Sequence, residues 1–411
     1  KQDGIIRNTG YERFGLSINI SRHITKWLEI GTSSHFTNAT TDFQRTNSEN
    51  TGIIRSALIF PPTVREESDA TDWLAANPAN YVNGATDQLK QISWFSSSYL
   101  EAKILPWLKF RQNLGLGYND GHRNTYYDRL TQEGKSPVNG KAGKATNTWK
   151  SLTSESLLTA DKQFGIHKLN AVAGITFESG RGESMSMTAT NFPNDLTKGA
   201  DISMALDRAV VKSDPETKMN LESFLARVNY TLLDKYLFTG SVRTDGSSAF
   251  QENKKWATFL SGAFAWRAID ETFIQDLNVF SNLKLRFSYG ETGNQGIGAY
   301  RTLAVLQAAN YPHNGSLSSG FSMIDWRGPQ NPDLKWETTA QFNAGIDFGW
   351  MDNRLQLTVD YYYKKTRDLL QNVTIPSSSG FSQQLVNSGN VTNEGLEFTL
   401  SFDALKETAV K

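Results

Sequence analysis

The stretch LKLRFSYGETGN, from Leu283 to Asn294, decides the fold class because its apolar and polar residues alternate. The apolar set and the polar set that separates it are Leu283, Leu285, Phe287 and Tyr289 against Lys284, Arg286 and Ser288. Neighbouring side chains of a strand point to opposite faces, so this strand has one apolar face and one charged face. The alternation recurs along the chain and predicts a wall with an apolar medium on one side and water on the other.

The same rhythm predicts about 13 strands of roughly 10–14 residues. Ordinary soluble strands average about 5–6 residues, whereas strands of about 9–11 residues or more suit a tilted membrane crossing. Turns are predicted at Phe164–Gly165, Leu233–Lys235 and Met351–Asn353. The predicted long loops are 38–90, with a helix at Ser68–Ala76, then 120–147, 179–218 and 295–336.

This pattern predicts an all-β, antiparallel transmembrane β-barrel with short periplasmic turns and long extracellular loops. Closure removes the open edges that such strands would otherwise expose to lipid. An odd number of strands cannot close with every neighbour antiparallel. We therefore expect residues 1–411 to be part of a barrel domain.

The composition excludes several classes of function. The chain has 411 residues, 38% of them hydrophobic, with 42 basic and 42 acidic residues and no cysteine. Zero net charge and the absence of a long basic run argue against a nucleic-acid partner. Without cysteine, disulfides, thiolate zinc sites and cysteine nucleophiles are excluded. No run approaches the roughly 20 apolar residues of a spanning helix.

No motif for catalysis or for a bound cofactor stands out. The five histidines are scattered without a metal-binding spacing, and GETGNQGIG, residues 290–298, lacks the order of a phosphate loop. Asp325, Asp333 and Glu337 lie in or beside one loop, but nothing fixes the separation that a glycosidase pair needs. We expect no enzyme activity, no metal and no cofactor.

The aromatic residues of the long loops are the better candidates for a binding site. Flat rings suit the apolar faces of sugars, and neighbouring polar groups can bond the hydroxyls. Packing of loop against loop, or docking of another protein as a lid, is the alternative role. The substrate-binding candidates are Trp73, Tyr126, Tyr127, Tyr300, Tyr311, Asp325 and Trp326. Trp336, at a strand start, is predicted to belong to an aromatic girdle at the membrane interface.

From Lys235 onward the chain resembles a known family, the SusC/RagA-type TonB-linked outer-membrane transporters of Bacteroidetes. Six blocks in order carry the resemblance. They are YLFTGSVRTDGSSAF (236–250), FLSGAFAWRAIDETFI (259–274), LKLRFSYGETGNQGIGAY (283–300), NPDLKWETTAQFNAGIDF (331–348), LQLTVDYYYKKTRDLL (355–370) and GNVTNEGLEFTL (389–400). Residues 1–234 resemble the family only in strand rhythm and in short pieces such as LIFPP (58–62).

The resemblance implies a barrel of about 22 strands filled by an N-terminal plug, in the outer membrane of a Gram-negative bacterium. We expect residues 1–411 to contain neither the plug nor the closing strands. It also implies a SusD-like surface lipoprotein as a lid and energy from the TonB–ExbB–ExbD complex. The implied function is TonB-dependent nutrient uptake, with oligosaccharides as the usual substrates and peptides as the less usual ones. A passive porin-type channel and a secreted β-rich glycan-binding protein remain alternatives.

Overall fold

A computed structural model describes residues 1–44, 53–61, 77–214, 216–313, 315–323 and 328–403. These residues contain nineteen strands and three short α-helices. The strands are β1 Gln2–Asp3, β2 Gly10–His23, β3 Leu28–Phe43, β4 Ala85–Leu105, β5 Leu108–Tyr127, β6 Lys141–Phe164, β7 His167–Thr190, β8 Val210–Ser213, β9 Thr217–Leu232, β10 Tyr236–Ser247, β11 Trp256–Trp266, β12 Asn282–Asn294, β13 Leu306–His313, β14 Ser316–Met323, β15 Glu337–Trp350, β16 Leu355–Arg367, β17 Leu370–Thr374, β18 Gln383–Asn387 and β19 Asn390–Phe402. The helices are α1 Ile53–Ile59, α2 Pro78–Gly84 and α3 Thr272–Gln275.

Thirteen long strands form one antiparallel sheet, here called the wall: β2 to β7, β9 to β12, β15, β16 and β19. Each pairs with the next wall strand along the chain, and the short strands β1 and β8 add to β2 and β7. This confirms the all-β antiparallel class and the strand count predicted from the sequence. Within the described residues no ladder joins β19 to β2, so this part of the barrel is open.

Connections alternate between the two ends of the wall. The predicted turns are confirmed at one end, here called the short-turn end. Leu233 and Asp234 have φ of 56° and 58°, and Lys235 N–H donates to the Leu232 carbonyl at 3.1 Å. Two left-handed residues in a row suit the right-handed twist of a hairpin. All the longer loops except the β11–β12 connection, which carries α3, lie at the other end, here called the long-loop end.

The two faces of the wall differ as the alternation predicts. The apolar face carries Phe287, whose strand neighbours Phe264 and Ala344 continue the same face. The polar face carries Arg286, beside Asp347 on β15. Aromatic rows lie near both ends of the apolar face: Phe36, Trp94 and Tyr118, then Tyr289, Phe342 and Tyr363, near the loops, and Phe348 and Trp350 near the turns.

The spacing of these rows fits a membrane. Phe342 and Trp350 lie eight positions apart on β15, which is about 26 Å of strand. At a strand tilt of about 40° this length is about 20 Å along the membrane normal, which lies within the apolar band of about 25 Å of an outer-membrane barrel. Phe348 and Trp350 stack at 5.4 Å between ring centroids, and Phe280 joins Trp350 at 6.0 Å.

Several predicted loops are partly strand, which corrects the sequence analysis. β5 runs to Tyr127 and pairs there with Lys141 at the start of β6, inside the predicted loop 120–147. β3, β4 and β7 likewise extend into 38–90 and 179–218. Above the aromatic row near the loops the apolar alternation fades, while backbone hydrogen bonds continue the ladder. Hairpins β13–β14 and β17–β18 fill two further loops. The predicted helix Ser68–Ala76 lies outside the described residues.

Candidate functional site

The structure describes four of the aromatic candidates, and these four lie around the long-loop end. Trp73, Asp325 and Trp326 lie outside the described residues. Tyr126 and Tyr127 close β5, Tyr300 follows β12, and Tyr311 lies on β13. These four do not form one patch.

Tyr126 is buried, with 2% of its surface exposed, in a small core with Ala142, Ala189 and Phe192, here called the Tyr126 cluster. Its ring meets the edge of Phe192 at 5.7 Å, and its hydroxyl donates to Asp195 Oδ1 at 2.6 Å. Asp195 also pairs with Arg129 at 2.8 Å. Burial and this hydrogen bond raise the pKa of Tyr126 well above its usual range. In this arrangement Tyr126 holds the β5–β6 and β7–β9 loops together.

Tyr127 is half-buried against a second small core made by Ile53 of α1 and Tyr81 of α2. Next to it, Asp128 receives the backbone N–H of Leu130 at 2.9 Å, and burial raises the pKa of its carboxyl. The Asp128 carboxyl lies so close to Gly84 that a Cβ there would be 2.2 Å from Oδ1. Glycine therefore lets α2 dock on the β5–β6 loop.

Tyr300 and Tyr311 present ring surface to their surroundings. Tyr300 is 36% exposed, and its hydroxyl donates to the Glu216 carbonyl at 3.1 Å. Tyr311 is 51% exposed on the β13–β14 hairpin, and its ring centroid lies 6.3 Å from that of His313. Of the four described aromatic candidates, these two are available to a ligand.

The prediction that Trp336 belongs to the aromatic girdle is wrong, because this residue is buried among loop residues. It is 6% exposed and belongs to a loop core with Ala249, Phe250, Phe259, Ile297, Leu334 and Leu385, here called the Trp336 cluster. Its indole N–H donates to the Lys255 carbonyl at 2.9 Å, and its ring lies 5.5 Å from Phe250. Phe259 of this cluster shares the polar face of the wall with Arg243. A strand-start position alone could not distinguish this core from the girdle.

Trp149 is an aromatic residue of this end that the sequence analysis did not select. It lies on the polar face of β6, opposite Gly182 of β7, and is 39% exposed. The pairing of a tryptophan with a Gly-x-Gly strand is a usable signal, but it requires the register of β6 on β7. The folded structure gives that register, and the sequence alone does not.

Towards the short-turn end, the polar face of the wall carries a network of charged side chains. Arg286 binds Asp347 through two hydrogen bonds of 2.9 Å and reaches Asp360 at 3.0 Å. Nearer the long-loop end, Arg243 binds Asp245 at 2.8 Å and Ser223 at 3.0 Å. These side chains can bind and orient a polar ligand, and they do not place a nucleophile beside a base.

The described residues contain no group of three or more histidine or acidic side chains placed to hold a metal ion. None of the described helices has both the length and the apolar character needed to span a bilayer.

Comparison with known proteins agrees with this geometry. Residues 15–409 match the family model described as TonB dependent receptor-like, beta-barrel. TonB-dependent receptor P3 of Formosa agariphila is 32% identical over 97% of the chain and 41% of its own length. TonB-dependent receptor SusC of Bacteroides thetaiotaomicron is 42% identical over 45% of the chain and 19% of its own length.

Among solved structures, the RagAB peptide transporter superposes with a TM-score of 0.82 and 22% identity, over 97% of the chain and 45% of the other. That likeness concerns the fold. The chain thus spans less than half the length of the relatives that it matches over nearly all its residues. On the family match, the chain belongs to the TonB-dependent receptor-like β-barrel family.

Proposed function

We propose that the chain forms part of the wall of a transporter that imports oligosaccharides across the outer membrane, driven by TonB. One observation carries the proposal: the thirteen-strand wall matches the receptor barrel over residues 15–409. The barrels of this family are outer-membrane proteins. The apolar face of the wall would then meet lipid and the polar face would line the lumen.

Support for oligosaccharides comes from the long-loop end and from one relative. Tyr300 and Tyr311 offer exposed rings there, next to polar loop residues. The sequence resemblance to SusC/RagA-type transporters implies oligosaccharides as the usual substrates, and SusC is 42% identical to the chain over the matched part. Peptides are the second candidate, because the structural neighbour RagAB is named a peptide transporter.

We also propose a lid and an energy source. The β13–β14 hairpin at the long-loop end exposes Leu306 by 60%, Tyr311 by 51% and Phe321 by 80%. Such apolar side chains suit contact with another protein, here a SusD-like lipoprotein. The plug, the remaining strands and the contact with TonB–ExbB–ExbD would come from the rest of the full-length protein.

The family match disfavours the two alternatives. A passive porin would need no TonB, and a secreted glycan-binding protein would not need a wall with two aromatic rows and an apolar band between them.

Uptake measurements test the proposal. A strain that lacks the gene is complemented with the full-length protein and given fluorescently labelled oligosaccharides or labelled peptides. Uptake should depend on the gene and stop when TonB is deleted. Uptake that persists without TonB would point to the porin alternative. TonB-dependent uptake of peptides alone would replace the substrate class and keep the transporter.

A further inference from the structure

We infer that Trp149 is the platform of a subsite for one pyranose ring of a neutral oligosaccharide, on the lumen side of the wall. The inference rests on the proposed function, since it names a contact for that substrate class. Trp149 lies on the polar face of β6 near the long-loop end, one position before Lys150, which pairs with Tyr118 of the aromatic row.

The ring of Trp149 lies flat because two glycines form its seat. A Cβ at Gly180 would be 2.6 Å from the ring atom Cζ2, and a Cβ at Gly182 would be 2.7 Å from Cε3. Both glycines share the polar face of β7, so the six-membered ring rests directly on the backbone of that strand. The other face of the ring stays open, and the side chain keeps 39% exposure.

Hydrogen-bonding groups surround this ring without partners. Trp149 lines a cavity of about 240 Å³ together with Ser151, Glu178, Met219 and Gln295. The Oε1 atom of Gln295 is buried and accepts no hydrogen bond. Among the described residues, neither the Glu178 carboxylate nor the indole N–H of Trp149 has a partner. A buried carbonyl oxygen without a donor is costly, so a ligand that donates to it would be favoured.

A sugar ring matches this combination. Its C–H face can lie on the indole, and its hydroxyls can donate to Glu178 and Gln295 while one accepts from the indole N–H. A lysine or arginine side chain of a peptide could also lie on the ring and pair with Glu178. That side chain has no acceptor for the indole N–H, so a peptide would have to bring a backbone carbonyl to it separately. One sugar ring carries donors and acceptors around its own edge, so the geometry favours the neutral sugar.

The test measures binding by the full-length protein in detergent. Maltohexaose, cellohexaose, xylohexaose and mannohexaose are titrated by calorimetry, and the tightest becomes the probe. Trp149→Leu fills the seat without an aromatic face and should weaken binding by about 10-fold or more, whereas Trp149→Phe should weaken it by about 3-fold or less. Trp256→Leu is the matched control. Trp256 also lies over a glycine, with a Cβ at Gly246 2.7 Å from its ring, but on the apolar face, so affinity should not change.

The outcomes separate the two proposals. Unchanged affinity in Trp149→Leu would overturn the platform and leave oligosaccharide uptake standing. Binding of a casein digest with no binding of any hexasaccharide would overturn both. If Trp149→Leu fails to give a heat-modifiable barrel, Glu178→Gln decides, since it leaves the packing intact. A loss of about 3-fold or more would support the subsite, and no loss would overturn it.

Discussion

Arg286 joins three strands of the wall through its side chain. It binds Asp347 on β15 and Asp360 on β16, and Thr358 adds a hydrogen bond of 3.1 Å to Asp347. A Cβ on Gly345 would be 2.8 Å from the guanidinium, so glycine leaves the space in which Arg286 crosses β15. Sequence alternation alone places these charges on one face, but it cannot show which of them meet.

Arg286→Ala should destabilise the full-length barrel, because it leaves two carboxylates on the wall without their cation. The Arg286 side chain is 36% exposed, so water compensates part of the lost interaction. We therefore expect the substitution to lower the free energy of unfolding by about 1 kcal/mol. Urea titration in detergent measures the change. Lys284→Ala is the matched control on the same face of β12. Lys284 lies opposite Asp347 and attracts it, but it forms no ion pair with any described residue, so its loss should cost clearly less. Equal losses in the two variants would contradict a specific role for Arg286.

Glu271 fixes the short-turn end and should make its stability depend on pH. Its carboxylate accepts from Tyr236 at 2.7 Å, Lys235 at 3.0 Å and Trp266 at 3.3 Å, and these bonds, the one from Tyr236 first, hold its pKa below the ordinary 4.5. A lowered folded pKa contributes stability that is complete above the unfolded pKa and is lost as pH falls through the folded one. Wild type should therefore exceed Glu271→Gln in stability at about pH 7.

The prediction is checked by measuring the unfolding midpoints of wild type and Glu271→Gln over a series of pH values. The difference should shrink once the pH drops below 4.5 and disappear once the pH lies below the lowered folded pKa of Glu271. Tyr236→Phe removes the first of the three donors and should show a smaller difference with the same sign. A gap between wild type and Glu271→Gln that stays constant down to low pH would show that the carboxylate charge does not matter.

At the scale of one strand, the assignment of faces predicts which substitutions a membrane tolerates. Val359 pairs with Ile346, midway between Phe342 and Trp350, whereas Phe287 lies nearer the row of Tyr289. Val359→Arg should cost about 2–4 kcal/mol, and Phe287→Arg the same or less, because the cost of a charge falls with distance from the bilayer midplane. Ser288→Arg, on the polar face beside Phe287, is the control and should be nearly neutral.

Refolding of the full-length protein into phosphatidylcholine vesicles measures these costs. Denaturant titration gives the free energies, and the mobility shift on unheated gels reports assembly. If Val359→Arg and Ser288→Arg behaved alike, the apolar face would not be the lipid face.

Sequence patterning located the membrane part of each strand better than the parts outside it. Phe14 to Ile20 and Leu355 to Tyr363 alternate because one side meets an apolar medium and the other water. Above the aromatic rows this contrast fades, so the ends of β4 to β7 read as loop. The site was predicted less well. Tyr126 and Trp336 proved to be buried in loop cores, and whether an aromatic ring is buried or open depends on contacts between loops far apart in the chain.

For the whole molecule, the open edges of the wall set the condition for folding. β1 covers β2 only at Gly10 and Tyr11, so within the described part of the chain the rest of β2 has no partner on that side. β19 pairs with β16 alone among the described strands. Both edge strands also carry highly exposed apolar side chains, such as Phe14 at 64% and Phe398 at 67%. In lipid, unpaired backbone groups are very unfavourable, and in water long apolar edges promote aggregation.

Residues 1–411 expressed alone should therefore not form a stable barrel, whereas the full-length protein should. Both are unfolded in urea and diluted into phosphatidylcholine vesicles, then compared by gel mobility without heating and by resistance to trypsin. The full-length protein should show a heat-modifiable band and a protected core, because further strands can pair with β2 and β19. The chain alone should remain unshifted and be digested. A protected, heat-modifiable monomer of residues 1–411 would mean that β2 and β19 find each other, and that thirteen strands suffice for closure with one parallel pair.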